Sequence, residues 1–144
     1  MKTIVLISCA SKKQRLAPGK TAHAKDMYIS PLFKKALAYA NKSTHDDIYI
    51  ISAKYGLLEL NQSIQTYDET LKTKTVAERK KWSHDVLDSL VAKGYDLNKD
   101  RFIILAGKAY YKYLLGNDGL KNYECIYANK KIGEILHYLN GALK

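Results

Sequence analysis

Three short apolar runs constrain this chain more than anything else in it. Thr3–Ser8 (TIVLIS), Ile48–Ile51 (IYII) and Phe102–Ala106 (FIILA) are rich in β-branched residues and too short for helices. None of them alternates apolar with polar positions, so each reads as a strand covered on both faces, the pattern of a parallel sheet. Segments of helical spacing separate the runs. Strands alternating with helices predict a parallel sheet with right-handed crossovers and helices on both faces.

The helical segments carry their own boundary signals. Ser30-Pro31 supplies an N-cap and a first-turn proline, and Leu32, Phe33, Ala36, Leu37 and Ala40 then fall on one helical face up to about Lys42. Thr75 with Glu78 three residues on forms a capping box for a second helix that ends at Gly94. Ala109–Leu115 is a third, stopping at Gly116-Asn117, and Lys131–Leu143 closes the chain as a fourth. Tyr123–Tyr127 is a weaker fourth strand, and Gln14–Asp26, with Pro18-Gly19, is loop. The expected fold is a single three-layer α/β domain over residues 1–144. Its sheet is four-stranded and mainly parallel, in order 2-1-3-4, with strands near 3–8, 47–52, 101–106 and 123–127. The two strongest runs take the middle.

Composition narrows the function. The 144 residues suffice for one hydrophobic core. Lysine and arginine number 24 against 14 acidic residues, a formal charge of +10 that favours a polyanionic partner such as nucleic acid or a nucleotide. Twelve tyrosines against two phenylalanines point the same way, because tyrosine stacks on a base and also hydrogen-bonds, although half-buried packing explains many of them equally well. Mean hydropathy is −0.33 and no run approaches the roughly 20 apolar residues of a membrane span, so no membrane partner is expected. The N-terminal apolar core is too short for a signal peptide, and Cys9 and Cys125 are isolated, so a cytoplasmic protein without disulfides is expected. His23, His45, His84 and His137 share no metal-ligand spacing, so neither metal nor cofactor is expected.

Function should gather at the strand ends. A parallel sheet brings Ser8-Cys9, Ser52, Gly107-Lys108 and Ala128-Asn129 to one edge, the edge where open α/β sheets build their sites. The stretch Ala53–Asp68 reads as a long loop leaving that edge, and long loops in compact domains usually bind something. Lys12 and Lys13, with Ser11, suit phosphate as point charges, yet as a surface pair they would be ordinary; the glycines of a Walker A loop are absent. Cys9 stands where a nucleophile would stand, though a small buried thiol is commoner and no histidine is placed to activate it. Ser52 and Lys54 can serve as donor and charge, and Gly56 permits a turn with positive φ. Tyr28, Tyr55 and Tyr110 offer faces for a base, or core packing. Tyr67-Asp68 should fold back over the strand ends, bringing the Asp68 carboxylate near Ser8-Cys9 and Lys12 to orient water or a base edge. The alternative is an aspartate that caps the next helix.

These segments carry a resemblance. SCASKK after the first strand, MYISPLF at the first helix, ISAKYGLL with YDETL, and LAGKAYYKYL after the third strand resemble a bacterial and phage family of small domains of unknown function. Ser52–Tyr67 is similar to a segment of the peroxide-stress YaaA family. The Cys9/Lys12-Lys13 turn is similar to the lysine-transfer domain of archaeosine synthase, and strand three entering Gly107-Lys108 to uracil-DNA glycosylase-like folds. Those relatives handle DNA, tRNA or modified bases, so the resemblance implies a nucleobase or nucleic-acid site. It does not carry over a water-activated mechanism. The aspartate–proline–tyrosine–histidine motif and the late histidine–proline–serine loop are absent, and Gln14-Arg15 follow Lys12-Lys13 where archaeosine synthase has proline–tyrosine.

Two functional classes follow. The first is an enzyme acting at a nucleobase or N-glycosidic bond, with Asp68, Lys12 and Ser52 as catalytic residues. Substrate would be held by Ser8, Cys9, Ser11, Lys13, Tyr28, Ser30, Lys54, Tyr55, Gly56, Tyr67, Gly107, Lys108 and Tyr110. The second is a non-catalytic nucleic-acid-binding module of YaaA type, in which the same cleft grips backbone and stacks a base.

Overall fold

The structure is a computed structural model describing residues 1–116 and 118–143; Asn117, expected in a turn, and Lys144 lie outside the described residues. In chain order the elements are β1 (Thr3–Ser8), β2 (Ala22–His23), α1 (Ala24–Met27), α2 (Pro31–Lys42), β3 (Asp47–Ser52), β4 (Gly56–Glu59) and β5 (Ser63–Ile64). After these come α3 (Val76–Ala92), β6 (Arg101–Leu105), α4 (Lys108–Tyr111), β7 (Tyr123–Cys125) and α5 (Ile132–Ala142), with single 3₁₀ turns at Leu71–Thr73 and Lys112–Leu114.

Local chemistry sets the helix starts. Ser30 Oγ accepts the Phe33 N–H at 3.1 Å ahead of Pro31. At α3 the Thr75 hydroxyl accepts from Glu78 N at 3.1 Å and the Glu78 carboxylate from Thr75 N at 3.0 Å, so two orphan amides are satisfied reciprocally. Each helix turns an apolar face inward: Phe33, Ala36 and Ala40 from α2, Trp82, Val86, Leu87 and Leu90 from α3, Ile135 and Leu139 from α5. Large side chains such as these contribute roughly 1.5–3 kcal/mol each when fully buried. Helix α2 packs on β1 and α5, while α3 packs on α4, β4 and the 112–114 turn.

The main sheet runs β4-β3-β1-β6-β7. β1 lies parallel to β3 on one side, with Ile7 opposite Ile50, and parallel to β6 on the other, with Ile7 opposite Leu105. β7 extends the parallel set beside β6. Ile4–Ile7 are essentially unexposed, as a strand covered on both faces must be. The expected four strands are therefore five. The extra one, β4, folds back antiparallel on β3 through a turn at Gly56, whose φ of +71° is left-handed backbone that glycine adopts without strain.

Two expected loops also contain structure. Ala53–Asp68 holds β4 and β5, and Gln14–Asp26 holds β2 and the start of α1, since β2 and β5 pair as a small antiparallel ribbon. At the opposite edge of the sheet, Asp100 accepts from Lys2 N at 2.8 Å and Asp96 N at 2.7 Å. Those amides hold its carboxyl below the usual carboxylate range.

Candidate functional site

The site begins where β1 ends. Cys9 N donates to the Ile51 carbonyl at 3.0 Å, continuing the ladder one residue past the strand. From there residues 12–14 pair antiparallel with 27–29. Gln14 N donates to Met27 O, Ile29 N donates to Lys12 O, and Lys13 stands opposite Tyr28. That pairing decides which lysine turns inward. Lys13 is buried with 7% exposure, its ammonium 4.4 Å from the Tyr67 ring centroid and 5.9 Å from that of Tyr28. Its hydrogen bond, to the Ser11 carbonyl, is long at 3.4 Å. Burial lowers the Lys13 pKa, with Cys9 and Asp68 pulling the other way. Lys12 points out to solvent and lines neither cavity described below, a correction to its expected catalytic place.

Behind Lys13 lies a closed chain of hydroxyls. Ser52 Oγ accepts the amides of Lys54 (3.2 Å) and Tyr55 (3.0 Å) and donates to the Tyr67 hydroxyl at 2.8 Å. Trp82 Nε1 donates to the Ser52 carbonyl at 2.8 Å, so α3 clamps the same residue. Ser52 is unexposed and its hydroxyl is occupied, which removes it from the expected catalytic set and makes it a structural anchor. Tyr28 and Tyr67 are equally enclosed, so neither offers a face to a base; burial pushes both phenols up. Lys54 lies over the Tyr55 ring at 5.5 Å, and with Gly56 they sit at the β3–β4 turn, lining neither cavity.

Two hollows that share Cys9, Ala10, Ser11, Thr70 and Tyr110 in their walls lie over the strand ends. The smaller, about 120 Å³, is lined by Cys9, Ala10, Ser11, Lys13, Asp68, Glu69, Thr70 and Tyr110. The larger is about 550 Å³. Ser8, Cys9, Ser11, Ser30, Gly107, Lys108 and Tyr110 reach it from the expected set, joined by Phe33, Thr70, Lys72, Tyr127 and Ile132. It opens between the ends of β1 and β6, where the winding reverses: the chain passes from β1 to β3 on one side and then to β6 on the other. Cys9 belongs to the wall between the hollows. Its sulfur accepts the Ala53 N–H at 3.4 Å, and its thiol donates to the Tyr110 hydroxyl at 3.4 Å. Tyr110 packs edge-on against Trp82 at 5.6 Å, and burial raises its pKa.

Asp68 does return to this edge, as part of the small hollow's mouth. Its carboxylate is exposed and pairs with Arg15 at 3.3 Å, and the nearby lysine is Lys13 in place of Lys12. It caps no helix: Thr70 caps the 71–73 turn. The returning segment is fixed by Thr66, whose hydroxyl donates to Gln14 O at 2.8 Å and accepts from Leu16 N at 3.2 Å. Thr70 and Lys72 went unnoticed in the sequence, because nothing in YDETLK marks them as pocket residues. Arg15 was visible only as the neighbour of the two lysines. Among the described residues no group of three or more His, Cys, Asp and Glu could hold a metal ion, and no described helix is long and apolar enough to cross a membrane.

Comparison with known proteins places the chain by family alone. No curated protein and no solved structure matches it. The model of a family of unknown function, DUF6884, matches residues 4–141, nearly the whole domain. The chain belongs to that family.

Proposed function

We propose that this protein is a nucleic-acid- or nucleotide-directed enzyme acting at a nucleobase or N-glycosidic bond. The observation that carries the reading is the 550 Å³ cleft at the winding reversal, with an apolar floor and a cationic rim. Its volume falls within the roughly 300–1,000 Å³ of small-molecule sites. Lys72 and Lys108 serve phosphate as point charges, while Phe33, Tyr110 and Tyr127 give the base an apolar wall. The +10 charge supports a polyanion as the source of that nucleotide. Asp68, at the adjoining mouth, supplies the carboxylate for water or for a developing positive charge. Kinship with uracil-DNA glycosylase-like and YaaA domains, and the doubly wound three-layer arrangement it implies, belong to the same proposal.

Fluorescence anisotropy with labelled single-stranded DNA and RNA, competed by nucleoside monophosphates, tests it. Binding should weaken in Lys72→Ala and Lys108→Ala and be displaced by a monophosphate. No binding at low salt, or binding indifferent to both lysines, contradicts the reading. A second reading, a non-catalytic binding module, is favoured by two observations: Asp68 already has Arg15 as its partner, and the Ser52 hydroxyl is taken. Mass spectrometry of oligonucleotides incubated with the protein separates the two, since only an enzyme releases or alters a base.

A further inference from the structure

We propose that Lys13 is an amine nucleophile that captures a sugar lacking its base: held in the wall of the small hollow with no anion bonded to it, it forms an imine with the open-chain aldehyde of an abasic nucleotide. The inference rests on the nucleotide reading above and deepens it, because breaking an N-glycosidic bond is what produces that aldehyde.

The surroundings of the Lys13 nitrogen carry the proposal. The side chain is 7% exposed and still lines the hollow, turned there by the pairing of residues 12–14 with 27–29. Among the described residues its one hydrogen bond is the long one, 3.4 Å to the Ser11 carbonyl. Otherwise it meets ring faces, Tyr67 at 4.4 Å and Tyr28 at 5.9 Å, whose hydroxyls are bonded to each other and to Ser52. The carboxylates of the hollow are paired elsewhere, Asp68 with Arg15 at 3.3 Å and Glu69 with Lys74 at 3.8 Å. Ring faces attract a cation, but they return only part of the hydration that a buried ammonium gives up. Burial accordingly lowers the Lys13 pKa, against the pull of Cys9 and Asp68 and helped by Arg15. That direction frees the nitrogen lone pair, and a desolvated lysine is the usual amine nucleophile. Lys12 offers the contrast one residue away: it is exposed and lines neither hollow.

Size selects the electrophile. At about 120 Å³ the hollow is well below the roughly 300–1,000 Å³ of sites that enclose a whole ligand, so it suits the end of a sugar better than a nucleotide with its base in place. The chemistry balances without a further reagent. The unprotonated Lys13 nitrogen forms the N–C bond to the aldehyde carbon, and the C=O π pair moves to oxygen. That oxygen takes up the proton the nitrogen sheds, giving a carbinolamine. A second proton, again passed from nitrogen to oxygen, lets the hydroxyl leave as water while the nitrogen lone pair closes the C=N bond. Asp68 and Glu69, at the mouth of the same hollow, are the carboxylates placed to ferry these protons. One amine and one aldehyde give one imine and one water, nothing is oxidised or reduced, and hydrolysis releases the sugar.

Reductive trapping tests this. The native full chain is incubated with a single-stranded oligonucleotide carrying one abasic site and with sodium cyanoborohydride, which reduces an imine to a stable secondary amine, and the adduct is located by peptide mass. The adduct should lie on Lys13. Lys13→Met should abolish it, and Lys12→Met should leave it unchanged. A lysine that only packs on two tyrosine rings gives no adduct. Adducts scattered over exposed lysines, or an undiminished adduct in a Lys13→Met variant with native circular dichroism, overturn the proposal. The wild-type peptide map decides the matter by itself if Lys13→Met does not fold. If the oligonucleotide binds by anisotropy and Lys13 stays unmodified, the imine fails and the nucleotide reading stands. If glyceraldehyde modifies Lys13 selectively but no oligonucleotide binds, the abasic nucleotide is the wrong electrophile and the nucleotide reading falls with it.

Discussion

The hydroxyls of Tyr28 and Tyr67 stand 2.6 Å apart inside the protein, joining the segment after β1 to the segment that returns from β5. Proton arithmetic sets the direction at Ser52. Its Oγ already accepts two amides, so it gives its own proton to Tyr67, whose hydroxyl shares a further hydrogen bond with that of Tyr28. Three chain segments, at 28, 52 and 67, are thus fastened by two hydrogen bonds behind the buried lysine.

Removing the middle hydroxyl tests this fastening. Tyr67→Phe keeps the ring under Lys13 and leaves the Ser52 proton without an acceptor in a dry place. We expect a loss of about 1–3 kcal/mol, read as a lower urea midpoint at unchanged slope. Tyr28→Phe removes only the end of the relay and should cost less. Equal midpoints for wild type and Tyr67→Phe would contradict this fastening.

Alkali should unfold the protein cooperatively. Burial raises the phenols of Tyr28, Tyr67, Tyr95, Tyr110 and Tyr127 well above their ordinary value of 10.0, and that of Tyr39 to about 12, where hydrogen bonding to Tyr138 adds to burial. A phenol with a raised folded pKa contributes stability in full below pH 10, and that contribution disappears as pH climbs through the folded value. Lys13, with its lowered pKa, favours folding as pH rises, but one lysine opposes six tyrosines. Tyrosinate absorbance should therefore appear together with loss of far-ultraviolet circular dichroism above about pH 10. Full ionisation of the phenols in a still-folded protein would refute this.

Salt should reveal the cationic rim. Log affinity for single-stranded nucleic acid should fall linearly with log salt, with a slope of roughly 0.7 per phosphate contacted. Lys72→Ala and Lys108→Ala should each lessen that slope by about one contact. Lys20→Ala, exposed and outside both hollows, should leave it unchanged.

Asp68→Asn separates the two functional readings without disturbing the fold. Its ion pair with Arg15 is exposed on both sides, so the stability change should stay within about 1 kcal/mol. An enzyme loses turnover with this change and keeps its affinity. A binding module has no turnover to lose and binds nucleic acid more tightly, because a negative charge facing phosphate has gone. Unchanged turnover in the variant would remove Asp68 from the chemistry.

Much of the scaffold was legible because local signals and tertiary packing agree on it. TIVLIS and FIILA have the composition of strands covered on both faces, and Ser30-Pro31 and Thr75…Glu78 mark helix starts through bonds three residues long. β4 was missed for a local reason as well: GLLE places two leucines side by side, so no alternation announces it, and its pairing with β3 depends on the turn at Gly56. The site was harder to read. Choosing between Lys12 and Lys13 needs the pairing of residues 12–14 with 27–29, and nothing in KK encodes it. Ser52 looks available at a strand end until Tyr67 arrives 15 residues later to take its proton. Side-chain direction at strand ends is decided by distant neighbours, which periodicity does not see.

The central position of β1 also shapes how the chain is made. Thr3–Ser8 leaves the ribosome before both its partners, and the strand it needs on one flank, Arg101–Leu105, follows about a hundred residues later. At roughly 5–20 residues per second, Ile4–Ile7 spend on the order of 5–20 s as an open, flat, apolar edge. That edge is a template for any other extended chain. Cys9, Thr70 and Tyr110 meet only after it closes, so no nascent intermediate shorter than the β6 boundary carries the site, and a ribosome stalled before Arg101 displays an aggregation-prone strand that chaperones would have to shield.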